Sequence, residues 1–194
     1  MKTFITASFL LIMISLNISA QETRTTENYG NTLNLGVGVG GYSGNYGNSG
    51  RSLPVFHIDY ELNVGRNFTL APFISFYTYT NSYYWGDKKK NYPYKYYYYR
   101  ETVIPIGLKG TYYFDQLLNA NSKWDFYLAA SLGFVIVNSS WDNDYYGDRN
   151  YYNHSSHMNL DLHIGTEYHL NKNLGIFLDL SSGVSTIGLA IHQK

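Results

Sequence analysis

The sequence predicts an all-β chain, folded as an eight-stranded antiparallel up-and-down transmembrane β-barrel. Three observations lead there. Segments with period-two hydrophobicity alternate with segments rich in Gly, Asn, Asp, Ser and Tyr, and no amphipathic helix competes with them. Past the N-terminus, no apolar run approaches the roughly 20 residues that a membrane helix needs, so any crossing must be made by strands. The connections between the alternating segments also differ in length in the way that places long loops on one rim.

The strands follow in order. Residues 32–41 put Leu33, Leu35, Val37 and Val39 on one face and Gly36, Gly38 and Gly40 on the other. In 53–64, Phe56, Ile58, Tyr60, Leu62 and Val64 oppose His57, Asp59, Glu61 and Asn63. The third strand, 68–79, is less regular: Phe73 breaks the alternation and Pro72 marks an expected bulge. Residues 100–114 set Ile104, Ile106, Leu108, Tyr112 and Phe114 against Glu101, Gly107, Lys109 and Thr111. Residues 124–137 and 157–170 repeat the pattern, the latter with Asn159, Asp161, His163, Gly165, Glu167 and His169 on its polar face. Strands at 174–180 and 184–192 complete the eight. Long connections are expected at 42–52, 80–99 and 138–156, and short ones at 65–67 and 171–173.

Composition narrows the class. Charged residues make up 14% of the chain, against about 25% in ordinary soluble domains, while Tyr reaches 22 and Gly 18 of 194 residues. Lys and Arg number 14 and so do Asp and Glu, a balance that carries no expectation of nucleic-acid binding. The lack of cysteine excludes disulfides, thiolate metal sites and a lipidated N-terminal cysteine. At the N-terminus, Lys2, the apolar stretch 4–16 and Ile18-Ser19-Ala20 read as a signal peptide over 1–20. A polar segment over 21–31 and the barrel over 32–194 would follow.

Alternation alone does not say whether the apolar face meets a core or lipid. The polar face decides, because in a soluble barrel it would carry many long charged side chains. Here it offers glycine, serine and alanine with scattered charges of both signs, which suits the narrow lumen of a membrane barrel. Aromatic residues at the strand ends, with Tyr112, Phe114, Trp124, Phe126 and Tyr168 at one rim and Phe76, Tyr79 and Tyr99 at the other, are expected as interface girdles.

The leader, the opening Leu33-Asn34-Leu35-Gly36-Val37-Gly38-Val39-Gly40, the strand count and the closing Ile187-Gly188-Leu189-Ala190-Ile191 resemble the small eight-stranded outer-membrane barrels of the OmpA/OmpX-like superfamily, in their Bacteroidetes-type forms. The resemblance covers about 32–194 and rests on class features. It implies a bacterial outer-membrane location, contact with outer-membrane lipids and insertion by the outer-membrane assembly machinery. Many such chains close on an aromatic residue, whereas this one closes on His192-Gln193-Lys194.

Two groups of residues are candidates for function. His57, Asp59, Glu61, Glu101, Lys109, Asp161, His163 and Glu167 would face the lumen. Buried charges there must pair, so a structural ion-pair and hydrogen-bond network is the favoured reading, with Arg100 as a further cation and with a metal or catalytic cluster as the alternative. Around the long loops, Tyr83, Tyr84, Trp85, Tyr94, Tyr96, Tyr97, Tyr98, Trp141, Tyr145 and Tyr146 combine aromatic faces with cations. They form either a surface that binds a glycan or protein ligand or an extended hairpin packed on itself. His154-Ser155-Ser156-His157 is a weak candidate for nucleophilic chemistry. The expectation is therefore a non-enzymatic surface or structural barrel with no open pore, no cofactor, no metal and no catalytic residues. A lipid-modifying enzyme and a soluble periplasmic barrel with an apolar ligand are the alternatives.

Overall fold

Among the described residues nine strands form one antiparallel sheet that closes on itself: β1 (Thr32–Gly40), β2 (Arg51–Ser52), β3 (Val55–Gly65), β4 (Phe68–Asp87), β5 (Tyr92–Tyr113), β6 (Trp124–Trp141), β7 (His157–Asn171), β8 (Leu174–Ser181) and β9 (Val184–His192). The computed structural model describes residues 29, 31–41, 51–52, 54–90, 92–115, 117–118, 120, 122–149 and 155–193. The leader, most of the 21–31 segment, His154, Tyr151 and Tyr152 lie outside them. Eight long strands make the barrel in the order β4-β3-β1-β9-β8-β7-β6-β5, with β4 pairing β5 to close it. The two-residue β2 only adds to the upper part of β4, pairing Ser52 with Tyr79.

Closure between first and last strands is in continuous register from Thr32↔His192 to Gly40↔Val184. The strand faces divide as the alternation requires. Leu132, Met158, Leu160, Leu162 and Ile164 point outward with half or more of their surface exposed, while Asp59, Glu61, Lys109, Asp161 and Asp179 are buried inside. That is the inverse of a water-soluble barrel, whose apolar face fills the core. On β6 the outward apolar run from Phe126 to Ile136 matches the ~9–11 residues of a tilted membrane strand. Among the described residues no helix is long and apolar enough to cross a membrane. The chain is a small membrane-spanning β-barrel.

Four details depart from the expectation. Pro72 causes no register shift: β4 keeps register with β5 from Phe68↔Tyr112 to Ile74↔Ile106, and Pro72 simply faces outward. The β3–β4 ladder instead skips from Asp59↔Phe73 to Leu62↔Leu70, which fits the amide that proline lacks. Phe73 points inward and covers the paired Gly107 and Gly133, where an added Cβ would lie 2.8 and 3.2 Å from its ring. The expected loop at 80–99 is largely strand, because β4 and β5 run on as a paired hairpin to Asp87↔Tyr92. Finally, Tyr79 and Tyr99 are buried on the inner face and so form no girdle, and Arg100 is exposed on the outer face and so is no lumen cation. At the opposite rim, Phe68–Tyr112 (4.8 Å), Trp124–Tyr168 (4.8 Å) and Trp124–Phe126 (6.1 Å) make the expected aromatic belt.

Candidate functional site

Strand parity sends every second residue into a lumen too narrow to hydrate charges individually, so the inward side chains must satisfy one another. Lys109 on β5 is the centre. Its Nζ donates to Asp59 Oδ2 at 2.9 Å and lies 4.0 Å from Asp179 Oδ2. From Asp59 the network continues to His57 Nε2 (2.9 Å), whose Nδ1 meets Ser75 Oγ at 2.7 Å. On the far side, Asp179 Oδ1 meets His163 Nδ1 at 2.8 Å, and His163 Nε2 meets Ser131 Oγ at 3.0 Å. Asn34 bridges Asp59 (2.9 Å) and Glu61 (3.1 Å), and Glu61 also accepts from Thr69 (2.7 Å) and Tyr113 (2.6 Å).

Each arm therefore has the Ser–His–Asp connectivity that activates a hydroxyl nucleophile in hydrolases. Here, however, Asp59 and Asp179 are both tied to the same lysine, and Ser75 and Ser131 are both 4% exposed. A 580 Å³ groove that includes His57 and Ser75 in its lining is otherwise formed chiefly by outward aliphatic and Phe side chains of the barrel wall, such as Leu35, Phe56 and Ile74.

Toward the rim with the longer connections, Val55, Tyr77, Val103, Val135 and Val184 pack into an apolar layer across the lumen. Glu101 lies beyond this layer, fully buried, accepting from the Tyr99 hydroxyl. Asp161 accepts from Asn159 (2.5 Å) and Ser182 (3.0 Å). At the opposite, inner rim, Tyr29 stacks on Tyr113 with centroids 4.3 Å apart and donates to both carboxylate oxygens of Asp115 (3.0 and 2.9 Å). Burial there pushes the Asp115 carboxyl above its ordinary range despite those bonds. Beside it, Glu167 meets His192 and Asp125 meets His169, at the edge of a cleft of about 480 Å³.

The loop candidates divide between the two faces of the β4–β5 hairpin. Tyr83, Trp85 and Tyr97 lie on the inner face and surround Tyr145 at 6.4, 5.3 and 5.2 Å, and Trp141 stacks on Tyr145 at 4.2 Å. Tyr92 stacks on Tyr146 at 4.7 Å. Lys95 pairs with Asp144, which raises the lysine and lowers the carboxylate relative to their ordinary values. Tyr84, Tyr94, Tyr96 and Tyr98 occupy the other face and are 52–64% exposed. Tyr84 lies 5.0 Å from Tyr96 and 6.1 Å from Tyr94, ring centre to ring centre.

Of the lumen residues expected from sequence, His57, Asp59, Glu61, Lys109 and His163 fall in one network. Glu101 is set apart by the apolar layer, Asp161 has its own partners, and Glu167 belongs to the inner mouth. Asn34, Asp179, Tyr113, Asp125 and His192 are not among the residues expected from sequence, nor is Tyr127, whose hydroxyl donates to Asp179 Oδ2 at 3.1 Å. Their signal was strand parity alone: Asp179 alternates with Leu178 and Leu180, and Asp125 with Trp124 and Phe126. In the 154–157 segment, Ser156 Oγ accepts from the Val137 amide (3.1 Å) and His157 Nδ1 lies 3.1 Å from the Ser155 carbonyl, so these bonds link no serine hydroxyl to the imidazole.

No family model matches the chain, and no curated protein matches it. Among solved structures, a designed transmembrane β-barrel is similar at 13% identity and TM-score 0.43, over 85% of this chain and 98% of the other. Ail, the attachment invasion locus protein of Yersinia pestis, is similar at 10% identity over 84% of this chain and 99% of the other. Its TM-scores are 0.38, and 0.39 in the complex with the heparin analogue sucrose octasulfate. The barrel assignment stands on this chain's own closed strand order and apolar belt.

Proposed function

We propose that this protein is a sealed outer-membrane barrel that presents its β4–β5 hairpin as a binding surface for an acidic glycan. The exposed tyrosine row Tyr84, Tyr94, Tyr96 and Tyr98 carries the reading. Between that row and the lipid-facing Phe76 and Ile104 lies a polar band of outward Thr78, Thr80, Arg100 and Thr102, with Ser82 paired opposite Tyr98. Tyr84 is eight residues beyond Phe76. At about 3.3 Å per residue that is roughly 25 Å along the strand, so the row stands clear of the apolar belt and is no interface girdle.

The aromatic packing around Tyr145 on the hidden face holds the hairpin, so little ordering entropy is lost when a ligand lands on the exposed one. Tyrosine gives a flat apolar face and a hydrogen-bonding tip, which suits a sugar ring. The charge supports an acidic partner: Lys88, Lys89, Lys90, Lys95 and Arg100 stand against Asp87 and against Asp142 and Asp144, which bond the hairpin at the Tyr98 amide and at Lys95, a net charge of +2. The reading is non-enzymatic and needs no cofactor.

The test uses the full chain in detergent micelles over immobilised acidic and neutral polysaccharides. Changing Tyr84, Tyr96 and Tyr98 together to Ser is expected to weaken binding by about tenfold or more while leaving heat-modifiable migration unchanged. Equal retention on neutral and acidic polysaccharide, or undiminished binding by the triple variant, would reject the assignment. A second expectation concerns the lumen. With the valine layer and the Lys109 network filling it, the purified protein should show no stepwise conductance in planar bilayers at any voltage the bilayer tolerates. Steady single-channel openings would refute the sealed barrel.

A further inference from the structure

The geometry points to a divalent transition-metal site at the inner mouth of the barrel, formed by Glu167 and His169 of β7 and His192 of β9. Their donor atoms lie within 4.8 Å of one another. Glu167 Oε1 is 2.6 Å from His192 Nε2 and 3.7 Å from His169 Nδ1. Donors on a tetrahedral zinc ion, with bonds of about 2.0–2.2 Å, stand roughly 3.4 Å apart, so small side-chain shifts would seat an ion.

What distinguishes this group from a chance cluster is the support behind each ligand. The other nitrogen of His192, Nδ1, lies 2.9 Å from Thr32 Oγ1, and the other nitrogen of His169, Nε2, lies 2.8 Å from Asp125 Oδ2. Each ring can thus donate its N–H to an oxygen behind it and turn a lone pair toward the common point, as metal-bound histidines do. The proton between His192 Nε2 and Glu167 Oε1 would leave as the ion enters.

Backbone structure also leaves room for the site. β8 runs between the two ligand-bearing strands, with Gly175 opposite both His169 and Ala190. A Cβ on Gly175 would come 1.9 Å from Glu167 Oε1, so the glycine is what allows the carboxylate its present position. Three protein ligands leave a fourth position for water, and the adjoining cleft of about 480 Å³ provides access. Imidazole and carboxylate together suit zinc, and cobalt(II) is a visible substitute in the same geometry.

The test is titration of the tagless full chain in micelles with Co²⁺, followed by visible absorption and then displacement by Zn²⁺. One equivalent should develop a saturable spectrum that zinc abolishes. His192→Ala and His169→Ala should weaken binding by more than the roughly 10–100-fold that loss of a supporting bond such as Asp125→Asn costs. Gly175→Ala, whose Cβ would meet only side-chain atoms of Glu167 (Oε1 1.9 Å, Cδ 2.7 Å, Cγ 2.9 Å) and so would push that carboxylate from its place, should weaken it in a barrel that still migrates as folded, and His157→Ala should have no effect. Absence of a saturable spectrum in the unaltered protein, or an identical spectrum and affinity in Gly175→Ala and His192→Ala, overturns the assignment.

Discussion

Replacing Lys109 with Met is expected to destabilise the folded barrel by about 3–5 kcal/mol, the usual consequence of removing one member of a buried ion pair. The side chains of Lys109 and Asp59 are 6% and 0% exposed, so neither charge is screened by water. The lysine is the cation between Asp59 and Asp179, and Glu61 is joined to Asp59 through Asn34. Methionine would fill nearly the same space while leaving those carboxylates in a low-dielectric lumen with only His57 and His163 as potential counter-charges. The measurement is the denaturant midpoint of the micelle-bound protein, followed by tryptophan fluorescence. Adding Asp59→Asn and Asp179→Asn to Lys109→Met should restore much of the loss, since neutral amides need no cation. If Lys109→Met alone shifts the midpoint by less than the equivalent of about 1 kcal/mol, the network does not have the central role that the geometry gives it.

The same network shows what could be read from the sequence. Period-two alternation is a local signal, and it put His57, Asp59 and Glu61 on one face of a strand and Lys109 on one face of another. Meeting across the lumen is not local. Asp59 and Lys109 are fifty residues apart and lie on strands that are not neighbours, separated by β4. The distances that join them come from closure, which alternation implies only in outline. The same holds for Asp179 and His192: each is a polar residue in a short, mostly apolar strand until the barrel turns it toward a partner.

The hairpin escaped for a different reason. Between 80 and 99 both faces are polar or aromatic, so there is no apolar alternation to mark a strand, and the segment reads as a loop. What makes it strand is cross-strand pairing of tyrosines, such as Tyr83↔Tyr97 and Tyr84↔Tyr96, together with the packing around Tyr145. Tyr79 and Tyr99 lie above the apolar belt, where the sequence no longer marks which face is inner. In fact inward and outward parity persists up the hairpin, and both rings turn inside.

Leu132→Arg distinguishes a membrane barrel from a soluble one by the size of its effect. Leu132 points outward from β6, 53% exposed, in a row with Leu108 and Leu160 on the neighbouring strands. It lies between the girdle at Trp124 and Phe126 and the outward end of the belt at Ile136. At the middle of a bilayer an arginine on this face should cost about 2–4 kcal/mol, falling to roughly 0–1 near the interface. Thr78→Arg, on the polar band above Phe76, should therefore be nearly neutral. In a soluble barrel both positions would be ordinary surface, where substitutions usually stay within about 0.5 kcal/mol. Folding of each variant into lipid vesicles, scored by denaturant midpoint, separates the cases. A depth-dependent penalty is the signature of lipid contact, whereas equal and small effects at Leu132 and Thr78 would mean that the apolar face meets something other than a bilayer.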